Sequence, residues 1–192
     1  MSIKSFKVGL LFFLLLSIFS CKKNEINDYK SFNFHNNEWK SKRITHSIDF
    51  LSYTATEVPL QYYILKNVPE NSVKKDSIVL ANSKERIVEI EFVHQNKEDV
   101  LLEEFTNKSY EESVKYMSFS IEKDFKVVTE SNDTIKCNGV LFERNFKVAP
   151  FKRLLLYFNN IDPNETIKLI YNDELFGNGI MEFEFIEKPL KL

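Results

Sequence analysis

Residues that break regular structure are scarce: four glycines and five prolines in 192 residues. That scarcity excludes long flexible linkers and low-complexity tails. Two cysteines, Cys21 and Cys137, are too few for a disulfide framework. No Lys/Arg block follows residue 43, and the 26 basic and 28 acidic residues are interspersed. Nucleic acid, which needs a basic stripe, is excluded as a partner. Three histidines, His35, His46 and His94, lie far apart without a Cys or His at zinc spacing. They read as solvated strand or loop residues, and no metal or cofactor is expected. Gly-x-Ser-x-Gly and His-Glu-x-x-His are both absent.

What is present describes a folded globular chain. The hydrophobic fraction is 43%, the charged fraction 28%, and 18 Phe accompany a single Trp. The length suits one domain with a core of useful size.

The N-terminus is patterned differently from the rest. Lys4 and Lys7 precede an apolar run from Val8 to Phe19, broken only by Ser17. A positive segment followed by a short apolar one has the form of a secretory leader, and the run is too short to span a bilayer. It ends in Ile18-Phe19-Ser20-Cys21. This resembles the lipobox of bacterial lipoproteins, in which the cysteine is acylated and the chain is cut just before it. The resemblance covers residues 1–21 and implies a signal peptide over 1–20 and a lipid on Cys21; the residue pattern then reads as a polar tether over 21–28 and a single β-rich domain over 29–192. Several acyl chains on Cys21 would hold the protein at a membrane, since each buried methylene contributes about 0.8 kcal/mol. Lys22 resembles the outer-membrane-directed case, with the body on the periplasmic face or the cell surface. The abundance of Lys, Asn, Ile and Phe resembles that of Bacteroidetes proteins.

With Cys21 used as anchor, Cys137 has no disulfide partner and is expected to be buried and inert. Asn138-Gly139 beside it is a strong signal for a type I′ hairpin turn. That turn predicts Cys137 opposite Val140, Ile135 opposite Phe142 and Asp133 opposite Arg144. Alternation places Ile135, Cys137, Val140 and Phe142 on one face.

Strand signals dominate the remainder. Tyr29–Phe34, Trp39–Thr45, Leu60–Leu65 and Ile87–Val93 read as strands. Phe125–Glu130, Asp133–Cys137 and Val140–Phe146 predict a three-stranded meander. Leu154–Phe158, continuously apolar, predicts a central strand buried on both faces. After a turn at 162–164 and a strand at Thr166–Tyr171, Gly177-Asn178-Gly179 predicts a turn rather than a phosphate loop. The strand beyond it should set Met181, Phe183 and Phe185 against Ile180, Glu182, Glu184 and Ile186. Ser109-Tyr110-Glu111-Glu112 is a capping-box pattern and predicts a helix over 110–117. Residues 96–105 fit helix or strand equally. The sum is a mainly β chain: an antiparallel two-sheet sandwich or partly closed barrel with one or two short helices.

Asp76-Ser77-Ile78 and Asp133-Thr134-Ile135 resemble the O-glycan acceptor pattern of exported Bacteroidetes proteins, which makes Ser77 and Thr134 candidate modification sites. Three Asn-x-Ser/Thr triplets begin at Asn107, Asn132 and Asn164 and fit the N-glycan sequon, which a bacterial lipoprotein gives little reason to use. Asp162, Asn164 and Glu165 lack the ligand alternation and central Gly of a calcium loop. No set of residues assembles into catalytic equipment. The expected function is that of a membrane-anchored, non-catalytic binding or accessory module for an envelope protein or glycan. The alternatives are a small-ligand carrier with a barrel cavity and, third, an envelope hydrolase.

Overall fold

Among the described residues, period-2 alternation of apolar and polar side chains becomes strand almost wherever it occurs. The computed structural model describes residues 42–59, 75–145, 149–162 and 164–186. The predicted strands at Tyr29–Phe34 and Leu60–Leu65, and Cys21 itself, lie outside those residues. Among them nine strands occur: β1 (Lys42–Ile48), β2 (Leu51–Val58), β3 (Arg86–His94), β4 (Phe125–Thr129), β5 (Thr134–Lys136), β6 (Gly139–Glu143), β7 (Phe151–Phe158), β8 (Ile167–Asp173) and β9 (Gly179–Phe185). They form a five-stranded sheet in the order β1-β2-β3-β7-β6 and a four-stranded sheet in the order β5-β4-β8-β9. Every pairing is antiparallel. The protein is an antiparallel two-sheet sandwich and not a closed barrel.

One core fills the space between the sheets. Val88, Ile90 and Phe92 of β3 and Leu154, Leu156 and Phe158 of β7 face Phe125, Val127, Leu169, Tyr171, Phe183 and Phe185 of the other sheet, all essentially inaccessible. Burying a side chain of this size contributes about 1.5–3 kcal/mol, so these positions supply much of the folding drive. β7 lies between β3 and β6, and Leu155 on its outer face is buried too. The central-strand expectation for 154–158 holds.

Helix is brief. The described helices are α1 (Lys75–Ala81), α2 (Glu103–Thr106) and α3 (Tyr110–Phe119), and a 3-10 turn follows at Ile121–Asp124. The capping box opens α3 as its sequence dictates: Glu112 N–H donates to Ser109 Oγ, and Ser109 N–H donates to Glu112 Oε2 at 3.0 Å. Met117 is fully buried, and Tyr110 and Val114 pack against the core. The ambiguous segment is mostly neither helix nor strand; only 103–106 is helical.

The hairpin at Asn138-Gly139 does not form. Neither residue has the positive φ that a type I′ turn requires. β5 pairs with β4, whereas β6 pairs with β7 in the other sheet. The backbone changes partner within two residues: Cys137 N–H donates to Phe125 O at 3.3 Å and Asn138 N–H to Tyr157 O at 2.8 Å. Asn138 Oδ1 accepts from Asn159 N–H at 3.1 Å, so the asparagine pins the crossover rather than a turn. The predicted meander is therefore two strands of one sheet followed by a strand of the other. Ile135, Cys137, Val140 and Phe142 still meet in the core, now from opposite sheets.

Two other contacts join the sheets. Arg86 pairs with Glu57 on the inner face and donates to Asp162 O at 2.8 Å and Glu165 O at 2.7 Å, gripping the β7–β8 connection. At the β1 edge, His46 Nε2 lies 2.8 Å from Glu182 O, and its ring meets Phe183 edge-on at 4.8 Å.

Candidate functional site

The apolar inner face of β7 ends at Lys152, which shares parity with Leu154, Leu156 and Phe158. Its ammonium is drawn inward and almost wholly buried. It donates to Asp99 Oδ2 at 3.0 Å and to Asn145 Oδ1 at 3.3 Å. Asp99 also accepts from the Tyr110 hydroxyl at 3.2 Å and from Leu101 N–H at 3.1 Å. Burial, then the Asp99 carboxylate, raises the Tyr110 phenol above its ordinary range. Desolvation of a buried ion pair is costly, and the added hydrogen bonds offset part of it. Lys152 and Asp99 line a cleft of about 320 Å³ between residues 97–100 and 149–152. Lys97 and Glu98 stand exposed on its rim, so two positive and two negative charges balance there.

A second polar cluster sits at the β8–β9 turn. Asp173, 3% exposed, accepts from the Tyr53 hydroxyl at 2.7 Å, the Tyr171 hydroxyl at 2.9 Å and Phe176 N–H at 2.9 Å. Asn178 Nδ2 donates to Tyr53 Oη at 2.6 Å. Burial and the adjacent carboxylate push both phenols far above their usual range. Gly177 and Gly179 both take φ of 78°, which permits the tight return to β9. Close by, Tyr116 donates to Asp124 Oδ2 at 2.7 Å, and Lys123 pairs with Glu174 at 2.9 Å. Asp124 Oδ1 is buried without a hydrogen-bond partner. Burial foremost, with Glu174 and Asp173 adding to it, moves the Asp124 carboxyl up to about 6.

On the outer face of the five-stranded sheet, Arg153 pairs with Glu91 at 2.5 Å, Glu143 at 3.3 Å and Glu89 at 3.4 Å. Its guanidinium lies 4.8 Å from the Phe151 ring. Burial, with Glu91 and Glu143 nearby, raises the Glu89 carboxyl although Arg153 opposes the shift.

The positions singled out in the sequence are dispersed. Ser77 is exposed on α1, and Thr134 is exposed on the outer face of β5. Cys137 is buried as expected; its thiol contacts Gly139 O at 3.2 Å, and burial pushes it up to about 11. His94 corrects the expectation of a solvated residue. It is 4% exposed, wedged between Phe50 at 5.2 Å and Phe105 at 4.7 Å, and its Nδ1 accepts from Asn96 N–H at 3.2 Å. Its inward parity on β3 decides this, because 88, 90, 92 and 94 share the core face. His35 lies outside the described residues. Asn107 and Asn132, the first residues of two of the sequons, adopt left-handed backbone, which asparagine tolerates in turns. Asp162 Oδ1 accepts from Asn164 N–H at 2.8 Å, a turn-forming bond. No group of three or more metal-ligating side chains is assembled among the described residues.

The cleft at Lys152 and Asp99 has no counterpart among the sequence expectations. Its one visible signal was a lysine at an inward register of an apolar strand. No family model, curated protein or solved structure matches the chain.

Proposed function

We propose that this chain is an envelope lipoprotein, exported by its N-terminal segment and acylated on Cys21, whose β-sandwich is a non-catalytic binding or accessory module. Outer-membrane anchoring through that lipid is part of the same reading. The cleft over Lys152 is the observation that carries it. Its amine and carboxylate are spent on each other, on Asn145 and on Tyr110, while its rim presents balanced charge. A rim of that kind suits a polar partner of low net charge, such as a glycan chain or a protein loop. A filled interior around Tyr53, Phe92, Phe125 and Tyr171 supports this reading over that of a ligand carrier.

Globomycin treatment of the native host should cause build-up of unprocessed precursor, and labelled palmitate should appear on the protein. Cross-linking in the native envelope should capture one stoichiometric partner. The Lys97→Glu/Glu98→Lys rim variant should lose that capture while keeping its unfolding midpoint. Absence of the lipid removes the anchor, and capture indifferent to the rim removes the cleft.

Convergence of an amine and a carboxylate in one cleft, with the Tyr110 phenol hydrogen-bonded to that carboxylate, gives the envelope-hydrolase reading its single support. Turnover of envelope glycan or ester substrates that disappears in Lys152→Met/Asp99→Asn, with most of the stability retained, would replace the binding reading.

A further inference from the structure

The outer face of the four-stranded sheet has an unusual arrangement of charge. Register sets Lys136 of β5, Lys126 of β4, Ile170 of β8 and Glu182 of β9 in one row. The next row is Thr134, Val128, Lys168 and Glu184. Lys126 and Lys136 are exposed, directly opposite one another, and have no ion pair among the described residues. Like charges in that position destabilise a sheet. Glu184 at the far edge is exposed and also has no ion pair among the described residues. Lys168 reaches Glu182 at 2.9 Å. The face is therefore positive along β5 and β4, apolar near its centre at Val128 and Ile170, and negative along β9. Ile180 and Ile186 extend the β9 side, 69% and 78% exposed, and a shallow depression of about 330 Å³ lies between Val128, Lys168, Glu184 and Ile186.

We propose that this face docks against the same face of a second copy of the chain, about a twofold axis parallel to the strands and between β4 and β8. Two faces that pack on each other exchange across an axis lying in the contact plane. An axis perpendicular to the strands would set the lysines of β4 and β5 on themselves. The strand-parallel axis instead sets Lys136 over Glu182 of the second copy and Lys126 over Ile170 of the second copy. Sheets pack in this aligned manner about 10 Å apart, which leaves room for interdigitated side chains. Four strands, over the five-residue length of β4, cover roughly 19 Å by 17 Å. That is less than the roughly 800 Å² per partner of a standard interface, so the dimer is weak, reversible and salt-sensitive.

Sedimentation velocity of the full chain in mild detergent, over a wide concentration range at low ionic strength, tests this. Reversible dimers should form and be lost at high salt. Lys136→Glu should weaken association about tenfold. It should also raise the unfolding midpoint, because it relieves the repulsion from Lys126, so lost association would not reflect lost folding. Glu182→Lys should weaken association similarly, and Lys136→Glu combined with Glu182→Lys should restore it. A monomer at every concentration overturns the proposal, as does a combined variant no better than the single ones. Self-association untouched by Lys126→Glu/Lys136→Glu, with loss of binding to phosphatidylglycerol vesicles, would identify an anionic lipid surface as the occupant and equally overturn it.

Discussion

The hydroxyl of Tyr53 on β2 donates to Asp173 Oδ2 on β8 at 2.7 Å, joining the two sheets through the interior. The residues are 120 positions apart in the chain, and both are buried. A hydrogen bond to an ionised acceptor contributes about 1.5–3 kcal/mol, and deleting the donor leaves the acceptor short of a partner in a dry site. Tyr53→Phe keeps the ring and its edge-on contacts with Phe92 at 5.7 Å and Phe176 at 6.2 Å. The variant should therefore lose about 2 kcal/mol, read from the shift in urea midpoint at unchanged slope. A loss within error would show that Tyr171 and the turn amides satisfy Asp173 without it.

Cys137 should be inert in the native state. Its thiol is raised to about 11 by burial and packed beneath the crossover, so thiolate is scarce at neutral pH and access is blocked. Labelling by a maleimide should be negligible without denaturant and should rise along the unfolding transition. Rapid native labelling would show that the crossover between β5 and β6 opens locally.

How much of this was legible in the sequence depends on the range of the interaction. Ser109 and Glu112 make a bond three residues apart, so the helix start could be read directly. Alternation along β9 placed Met181, Phe183 and Phe185 inside because facing is a property of one strand. Pairing is a property of two. The Asn138-Gly139 signal is local, but the strands on either side of it pair in different sheets while Cys137 and Val140 pack in one core, so tertiary context overrode turn chemistry. β2 escaped notice because Leu51–Val58 is buried on both faces and carries Ser, Ala and Thr among its apolar residues, which blurs the period. The cleft and the Tyr53–Asp173 tie were out of reach, since each joins segments whose proximity follows only from strand order.

Lys152 and Asp99 should behave as a unit. Removing one member of a buried pair strands the other charge, at a cost of about 3–5 kcal/mol, whereas removing both costs much less. Lys152→Met should lower the unfolding midpoint strongly, and Lys152→Met/Asp99→Asn should recover most of it. The coupling energy from the double-mutant cycle should exceed about 1 kcal/mol. Additive effects would mean that the 3.0 Å contact carries little energy.

Asp124 makes the fold sensitive to pH near neutrality. Its carboxyl titrates at about 6 in the folded protein against an ordinary value of 3.8, because burial disfavours the charge while Glu174 and Asp173 repel it; Tyr116 and Lys123 only partly compensate. A raised carboxyl binds its proton more tightly when folded than when unfolded. Its contribution to stability is therefore fully present below pH 3.8 and is lost as pH rises through about 6. Asp124→Asn keeps an oxygen for the Tyr116 hydroxyl and removes the ionisation. The variant should be more stable than the parent by about 1–3 kcal/mol at pH 8, with the advantage shrinking through the window and vanishing below it. Urea midpoints across that range read the effect. An advantage independent of pH would assign the gain to amide hydrogen bonding, and destabilisation at pH 8 would mean that the charge is compensated in the fold.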